Sequence, residues 1–386
     1  MTTPLVTTTL TRLIKPITQQ SCFRRFALAA AIGLAAVAAP LAPAQTLTTL
    51  VGFNNTDGST PGGLFQGKDG NFYGTTAAGG AHTYGEVYKL TPAGALTILH
   101  SFDNLDGSAP AALFQSSSGN FYGTTTGGGA HANGEVYELT PAGVLTILYS
   151  FDNLDGSSPT SLFQSTSGNF YGTTTGGGAH ANGEVYELTP AGVLTILYSF
   201  SNVDGSGPTA LLLGTNGNFY GTTTSGGAHT YGEVYELTPA GALTILHSFD
   251  NLDGDGPGRL LQGTDGNFYG VTLAGGAHTY GEVYELTPAG AFTVLHSFDN
   301  LDGNGPKALL RETSGTFYGT TEDGGANTYG EVYELTAAGA LTILHSFDYS
   351  DGAYASALLQ GSDGNFYGTT GSGGPNAYGT AYKLVP

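Results

Sequence analysis

One five-residue string governs what this chain can become. Phe-Tyr-Gly-Thr-Thr, with Val in place of the first Thr once, begins at Phe72, Phe121, Phe170, Phe219, Phe268, Phe317 and Phe366, always 49 residues apart. A period of roughly twenty to fifty residues that never slips marks one supersecondary module, each copy burying its apolar faces against its neighbours. Seven copies in register constrain the fold more tightly than any local motif does.

Between Ala111 and Phe151 the apolar segments are short: ALFQ, NFYGTT, GEVYELT and LTILYSF. They are rich in β-branched and aromatic residues, and turn chemistry separates them, which predicts strands. Helical periodicity is absent from the repeats. The first link is an X-Gly pair, Ser118-Gly119 here and Asp69-Gly70, Asn216-Gly217, Asp265-Gly266 and Asp363-Gly364 elsewhere, suited to a tight hairpin. The third is Thr-Pro-Ala-Gly, as at Thr140 to Gly143, where Pro and Gly each fix one turn residue. Each unit reads as a four-stranded antiparallel meander. In its last strand Leu145, Ile147, Tyr149 and Phe151 share one face and Leu148 lies on the other, as expected of a sheet sandwiched between neighbours.

The two ends of the repeat array fit together. Pro386 is in register with Pro92, so the last unit stops in its third turn, and Thr46–Phe53 (TLTTLVGF) matches the fourth strand at Ala95–Phe102 (ALTILHSF). A linear array, an open β-solenoid or superhelix, would leave two ragged edges; a ring lets the N-terminal strand complete the final sheet. The expected fold is all-β, a seven-bladed β-propeller of four-stranded antiparallel blades, closed by that strand.

Residues 1–44 read as a signal peptide and 45–386 as the propeller. Arg12, Lys15, Arg24 and Arg25 precede an apolar run from Phe26 to Ala39, and Ala42-Pro43-Ala44 is a small-x-small cleavage site. General secretion fits better than twin-arginine export, and the protein is expected in the periplasm or outside the cell. Cys22 falls within this leader, so no cysteine remains for a disulfide. Beyond Ala44 stand six basic and thirty acidic residues, a formal charge of −24, which disfavours nucleic acid and anionic lipid as partners. No later stretch is apolar enough for a membrane span, and a monomer is expected.

In a meander the first and third links emerge at one end of the ring, and the second link and the blade-to-blade connection at the other. Only the second end carries long loops, TTxxGGAHxxGE and SFDNLDGxxP, so a ligand face is expected there. Its candidate binding residues are His82, His131, His180, His229 and His278, with Asn327 and Asn376 at the last two positions, and Tyr84, Tyr231, Tyr280 and Tyr329, with Tyr378. Zinc needs nitrogens about 2.0–2.1 Å away on one ion, whereas packed sheets lie about 10 Å apart. A shared metal is therefore not expected, and hydrogen bonding within a Gly-rich loop is the plainer role for His and Asn.

Asp103 with Asp106, Asp152 with Asp155, Asp250 with Asp253 and Asp299 with Asp302 offer too few oxygens for calcium and suit turns. Glu86, Glu135, Glu184, Glu233, Glu282 and Glu331 open the third strand, replaced by Thr380 in the seventh unit. Identical carboxylates do not make the unlike acid–base pair that catalysis needs, so strand-end hydrogen bonding or structural solvation is expected of them. No catalytic residue and no cofactor motif is found: no nucleophile elbow, phosphate loop, HExxH or CxxC. The clearest departures from the repeat are Arg259, Lys307, Arg311, Glu312, Glu322 and Asp323, where an asymmetric site would lie.

The run from P-x-x-L through GNFYGTT and GEVYELTPAG to LTILHSF resembles the GloVer repeat of secreted bacterial proteins, described as choice-of-anchor tandem-repeat proteins. The resemblance covers the chain after Ala44 and implies an exported repeat protein, commonly with a variable C-terminal surface anchor. It brings no catalytic residues, and this chain departs from the anchored pattern by stopping inside its last repeat. A binding or interaction module for a glycan or protein ligand is the expected function. The alternatives are a carbohydrate-active lyase or hydrolase on the same scaffold and a purely structural surface protein.

Overall fold

The computed structural model describes residues 45–386; the expected signal peptide lies outside the described residues. Every element described is a strand, arranged in seven antiparallel sheets. The second strand of each blade packs on the first strand of the next, and Phe366–Ser372 of blade seven packs on Ser59–Gln66 of blade one, so the blades form a ring. It is a seven-bladed β-propeller.

Blade two shows the pattern: Ser108–Gln115, Phe121–Gly127, Glu135–Leu139 and Leu145–Ser150 pair in chain order, from the axis outward. Blade seven is built from both ends of the array. Its strands Ala353–Gln360, Phe366–Ser372 and Thr380–Val385 are followed by Thr46–Gly52, which pairs antiparallel with Thr380–Val385 from Thr46 opposite Val385 to Gly52 opposite Thr380. Side-chain and main-chain bonds secure the seam, among them Asn376 Nδ2 to the Gly52 carbonyl (2.9 Å) and the Phe53 amide to the Gly379 carbonyl (3.0 Å).

Seven apolar clusters occupy the seven blade interfaces. Between blades one and two, Tyr73 and Val87 meet Phe121, Tyr137 and Leu139, with Phe102 from the connecting segment, all buried. The Tyr73 and Phe121 rings lie 4.5 Å apart, and Tyr367 and Phe72 repeat the contact across the closing seam at 4.1 Å. Such aromatic pairs add to the burial of their own area. Because each face of a blade is covered by a neighbour, removing one blade would strip two clusters.

The register explains the Gly of the repeated string. Gly123 stands opposite Tyr137 on the adjacent strand, and a Cβ at Gly123 would come within 2.4 Å of the Tyr137 hydroxyl oxygen. The tyrosine ring thus occupies the space that a side chain at that position would take.

Blade five departs from the expected continuous first strand. Pairing stops after Asp255–Pro257 and resumes at Leu261–Gln262. Arg259 lies in the gap, at the position held by Gly63, Ala112, Ser161, Ala210, Ala308 and Ala357 in the other blades. The six small residues leave the channel open; the other six inner strands shift register at this level without dividing, and the one long side chain coincides with the one inner strand that is split in two.

Candidate functional site: the loop face

The long loops meet at one end of the ring, as their order in the chain requires. Gly129, in the second link of blade two, donates its amide to the Asn104 carbonyl of the loop that enters the blade (2.8 Å), and the same bond recurs in every blade.

The entering loop is built by its own carboxylates. Asp103 accepts the Leu105 amide at 2.9 Å, and Asp106 accepts the Asp103 amide at 2.9 Å, so the pair closes a turn as the sequence led us to expect. The other oxygen of Asp106 meets His100 Nε2 at 2.8 Å, and His247–Asp253, His296–Asp302 and His345–Asp351 repeat the pair. Tyr149 and Tyr198 take the same place against Asp155 and Asp204. Sequence reasoning did not single out these outer-strand histidines, although a His or Tyr six residues before the second Asp of the loop was a readable signal.

The Gly-Gly pair of the second link is explained by the carboxylate beneath it. A Cβ at Gly80 would meet Glu86 Oε1 at 2.4 Å, and Gly79 and Gly80 both have positive φ, at 72° and 85°. Glu86 is buried and accepts the Ala81 amide at 3.3 Å; in blade two, Glu135 accepts Ala130 N at 3.3 Å and Ser150 Oγ at 3.0 Å. These are strand-end hydrogen bonds, the role expected for the repeated Glu. The second oxygen of all six has no partner among the described residues. Burial pushes the carboxyl groups of Glu86, Glu135, Glu184, Glu282 and Glu331 above the ordinary carboxylate range.

Beyond the glycines the loop rises to the surface. His82, His131, His180, His229 and His278 are all exposed, and their rings make no hydrogen bond among the described residues. The next residue is forced to positive φ in every blade, including the β-branched Thr83 (71°), Thr230 (74°), Thr279 (71°) and Thr328 (68°). Such a conformation is uncommon for a β-branched residue and gives each loop one fixed shape. Tyr84 and Tyr378 are exposed, whereas Tyr231, Tyr280 and Tyr329 are half-buried against the interface clusters. Their carbonyls hold the next blade: Tyr84 O accepts the Ala109 amide at 2.9 Å and Tyr329 O the Tyr354 amide at 3.2 Å. Asn327 and Asn376 hydrogen-bond through their side chains, Asn327 to the Ser346 carbonyl at 3.3 Å.

A second set of residues on this face went unnoticed in the sequence. Leu105, Leu154, Val203, Leu252 and Leu301, at the tips of five successive entering loops, are 78–82% exposed. In blades two to five each tip stands beside a loop that bears an exposed histidine. The signal was an apolar residue in the middle of the polar turn DNLDG, where no core is within reach. Among the described residues no three His, Cys, Asp or Glu side chains gather as a metal site.

Four of the six departures from the repeat separate into two places. Arg311 pairs with Asp265 at 2.7 Å, on the side of the tight turns; Lys307 pairs with Glu322 at 2.9 Å and, with Arg259, borders the central channel.

Comparison with known proteins places the architecture. Virginiamycin B lyase from Staphylococcus aureus superposes with a TM-score of 0.63 at 16% identity, over 89% of this chain and 99% of that one. A streptogramin B lyase gives 0.62 at 17%, over 88% and 97%. The extracellular domain of a hybrid two-component system from B. thetaiotaomicron gives 0.60 at 11%, over 88% of this chain and 41% of that one. These similarities concern the fold alone. No curated protein matches the chain. Residues 38–233 and 207–386 both match the Gloeobacter/Verrucomicrobia repeat, and with most of its length so matched the chain belongs to that repeat family.

Proposed function

We propose that the protein is an exported binding module that engages a protein or glycan ligand through its loop face. The observation that supports this reading most strongly is the arc of five exposed apolar tips, Leu105, Leu154, Val203, Leu252 and Leu301, alternating with loops of fixed shape that present His131, His180, His229 and His278. Isolated exposed leucines are ordinary, but apolar groups set at equivalent points of a rigid ring form a repeated contact surface. Near-identical blades offer the same weak contact several times, which suits multivalent attachment. The repeated carboxylates of this face close turns or lie buried under the Gly-Gly pairs, so they are poorly placed for acid–base chemistry.

The test is an array carrying glycans and peptides, probed with the parent and with a variant in which the five tips are changed to Asp. Saturable binding by the parent that falls at least tenfold in the variant, at unchanged melting temperature, is the expected result. Because two structural relatives are lyases, the same samples should be examined for product. Turnover would replace this reading with an enzymatic one, and binding that survives the five substitutions would move the ligand off this face.

A further inference from the structure

The propeller's axis holds a cation that no group among the described residues neutralises. Six basic residues lie among the described residues, and five are engaged. Lys89 pairs with Asp69, Lys307 with Glu322, Arg311 with Asp265 and Lys383 with Asp363, while Lys68 Nζ donates to the Ser116 and Ser117 carbonyls. Arg259 alone makes no ion pair, hydrogen bond or ring contact among the described residues. In a chain with thirty acidic groups, an unpaired arginine is not for want of carboxylates.

Its setting is a cavity. A space of about 480 Å3 runs along the inner strands of blades one, two, five, six and seven. Two neighbouring spaces of about 270 and 230 Å3 extend the circuit through blades three and four, and Arg259 lines all three. Solvent reaches the side chain along the channel, while the surrounding blades still desolvate it and press its pKa downward. No carboxylate contributes to that shift. The walls are the free edges of the inner strands, each paired on one side only, with small residues at the level of Arg259 and Leu64, Leu260, Leu309 and Leu358 beside it. A mouth of about 470 Å3, bordered by Lys307, Glu322 and Tyr354, opens where the inner strands begin, which is the loop face.

We infer that the channel is a binding site for a small organic carboxylate, whose two oxygens take the fork of Arg259 and whose apolar part lies against the ring of leucines. A guanidinium matches a carboxylate with two parallel hydrogen bonds, and the pair strengthens where water is partly excluded. Lys307, the other cation of the channel wall, is neutralised by Glu322, so Arg259 offers a single net positive charge, which suits a monoanion; a phosphate dianion would need a second unpaired cation. The small side chains at the six equivalent positions leave room for such a ligand on the side facing Arg259. This site is independent of the loop-face reading, because it uses none of the tips or histidines.

Isothermal titration of the full-length protein with hexanoate, and separately with inorganic phosphate, tests the assignment. Hexanoate should bind with one site per chain, and Arg259→Gln should weaken it at least tenfold. Ala308→Glu, which sets a carboxylate at the equivalent position of the next blade, should do the same by neutralising the arginine in place. Melting curves of both variants control for folding. Absence of hexanoate binding by the parent overturns the inference, as does a folded Arg259→Gln or Ala308→Glu protein that binds as the parent does. Phosphate binding tighter than hexanoate overturns the carboxylate assignment.

Discussion

At the scale of single residues, glycines of one sequence type behave in opposite ways. Gly172, in the third copy of Phe-Tyr-Gly-Thr-Thr, faces Tyr186; an added Cβ would lie 2.4 Å from its hydroxyl oxygen and 2.3 Å from the Ser161 carbonyl. Gly63, at the channel, has nothing within 4 Å of its Cβ position and no positive φ. Gly172→Ala is therefore expected to destabilise the protein by about 1–3 kcal/mol through overpacking. Gly63→Ala should stabilise it by about 0.5–1 kcal/mol through reduced freedom of the unfolded chain. Urea denaturation of the two variants beside the parent decides the matter, and equal midpoints would mean that the tyrosine ring yields freely.

At the scale of elements, the strand Thr46–Gly52 is the piece most exposed to test. It supplies the whole outer edge of blade seven, and Leu47, Leu50 and Val51 pack against the clusters on either side of the seam. Deleting residues 46–52 leaves Thr380–Val385 with an open edge and uncovers part of two clusters. A fall in melting temperature of several degrees or more, with aggregation, is expected, and a synthetic Thr46–Phe53 peptide added in excess should partly restore it. Unchanged melting by the truncated protein would show that the seam contributes nothing. This closure was legible in the sequence because register is arithmetic: Thr46–Phe53 carries the fourth-strand pattern 49 residues early. The broken inner strand of blade five was not legible, since Gly258-Arg259-Leu260 differs little in strand tendency from its counterparts. Nor were the apolar tips, because exposure depends on what a loop packs against, and periodicity says only that Leu105 and Leu154 share one environment. The burial of Glu86 and its equivalents beneath Gly-Gly escaped the same way: the sequence places the carboxylate at the strand end but not the turn above it.

For the whole molecule, the repeat makes one buried acid into a collective property. The carboxyls of Glu86, Glu135, Glu184, Glu282 and Glu331 are raised by burial above 4.5, so between that value and their folded values the native state binds more protons than the unfolded chain. The stability that they contribute is complete below pH 4.5 and is lost as pH rises through the raised values. Other carboxylates act in the reverse sense. In Asp69 and Asp363 burial is outweighed by hydrogen bonds, from Asn71, Lys89 and Tyr73 to the first and from Asn365, Tyr367 and Lys383 to the second, and both are held below 3.8. Their contribution is present above 3.8 and is lost only as pH falls through the lowered values. Self-repulsion of the excess acidic charge also grows with pH. The melting temperature should therefore peak in mildly acidic solution, near pH 4–5 by this reasoning, and decline by on the order of several degrees toward pH 8. Glu135→Gln with Glu184→Gln keeps an oxygen for the Ala130 and Ala179 amides while removing two buried charges. That double variant should melt higher than the parent at pH 8, match it near pH 4.5, and show a shallower slope between. A parent protein whose melting temperature rises from pH 5 to 8, or a double variant with an unaltered slope, would mean that the buried glutamates ionise in the folded ring without penalty.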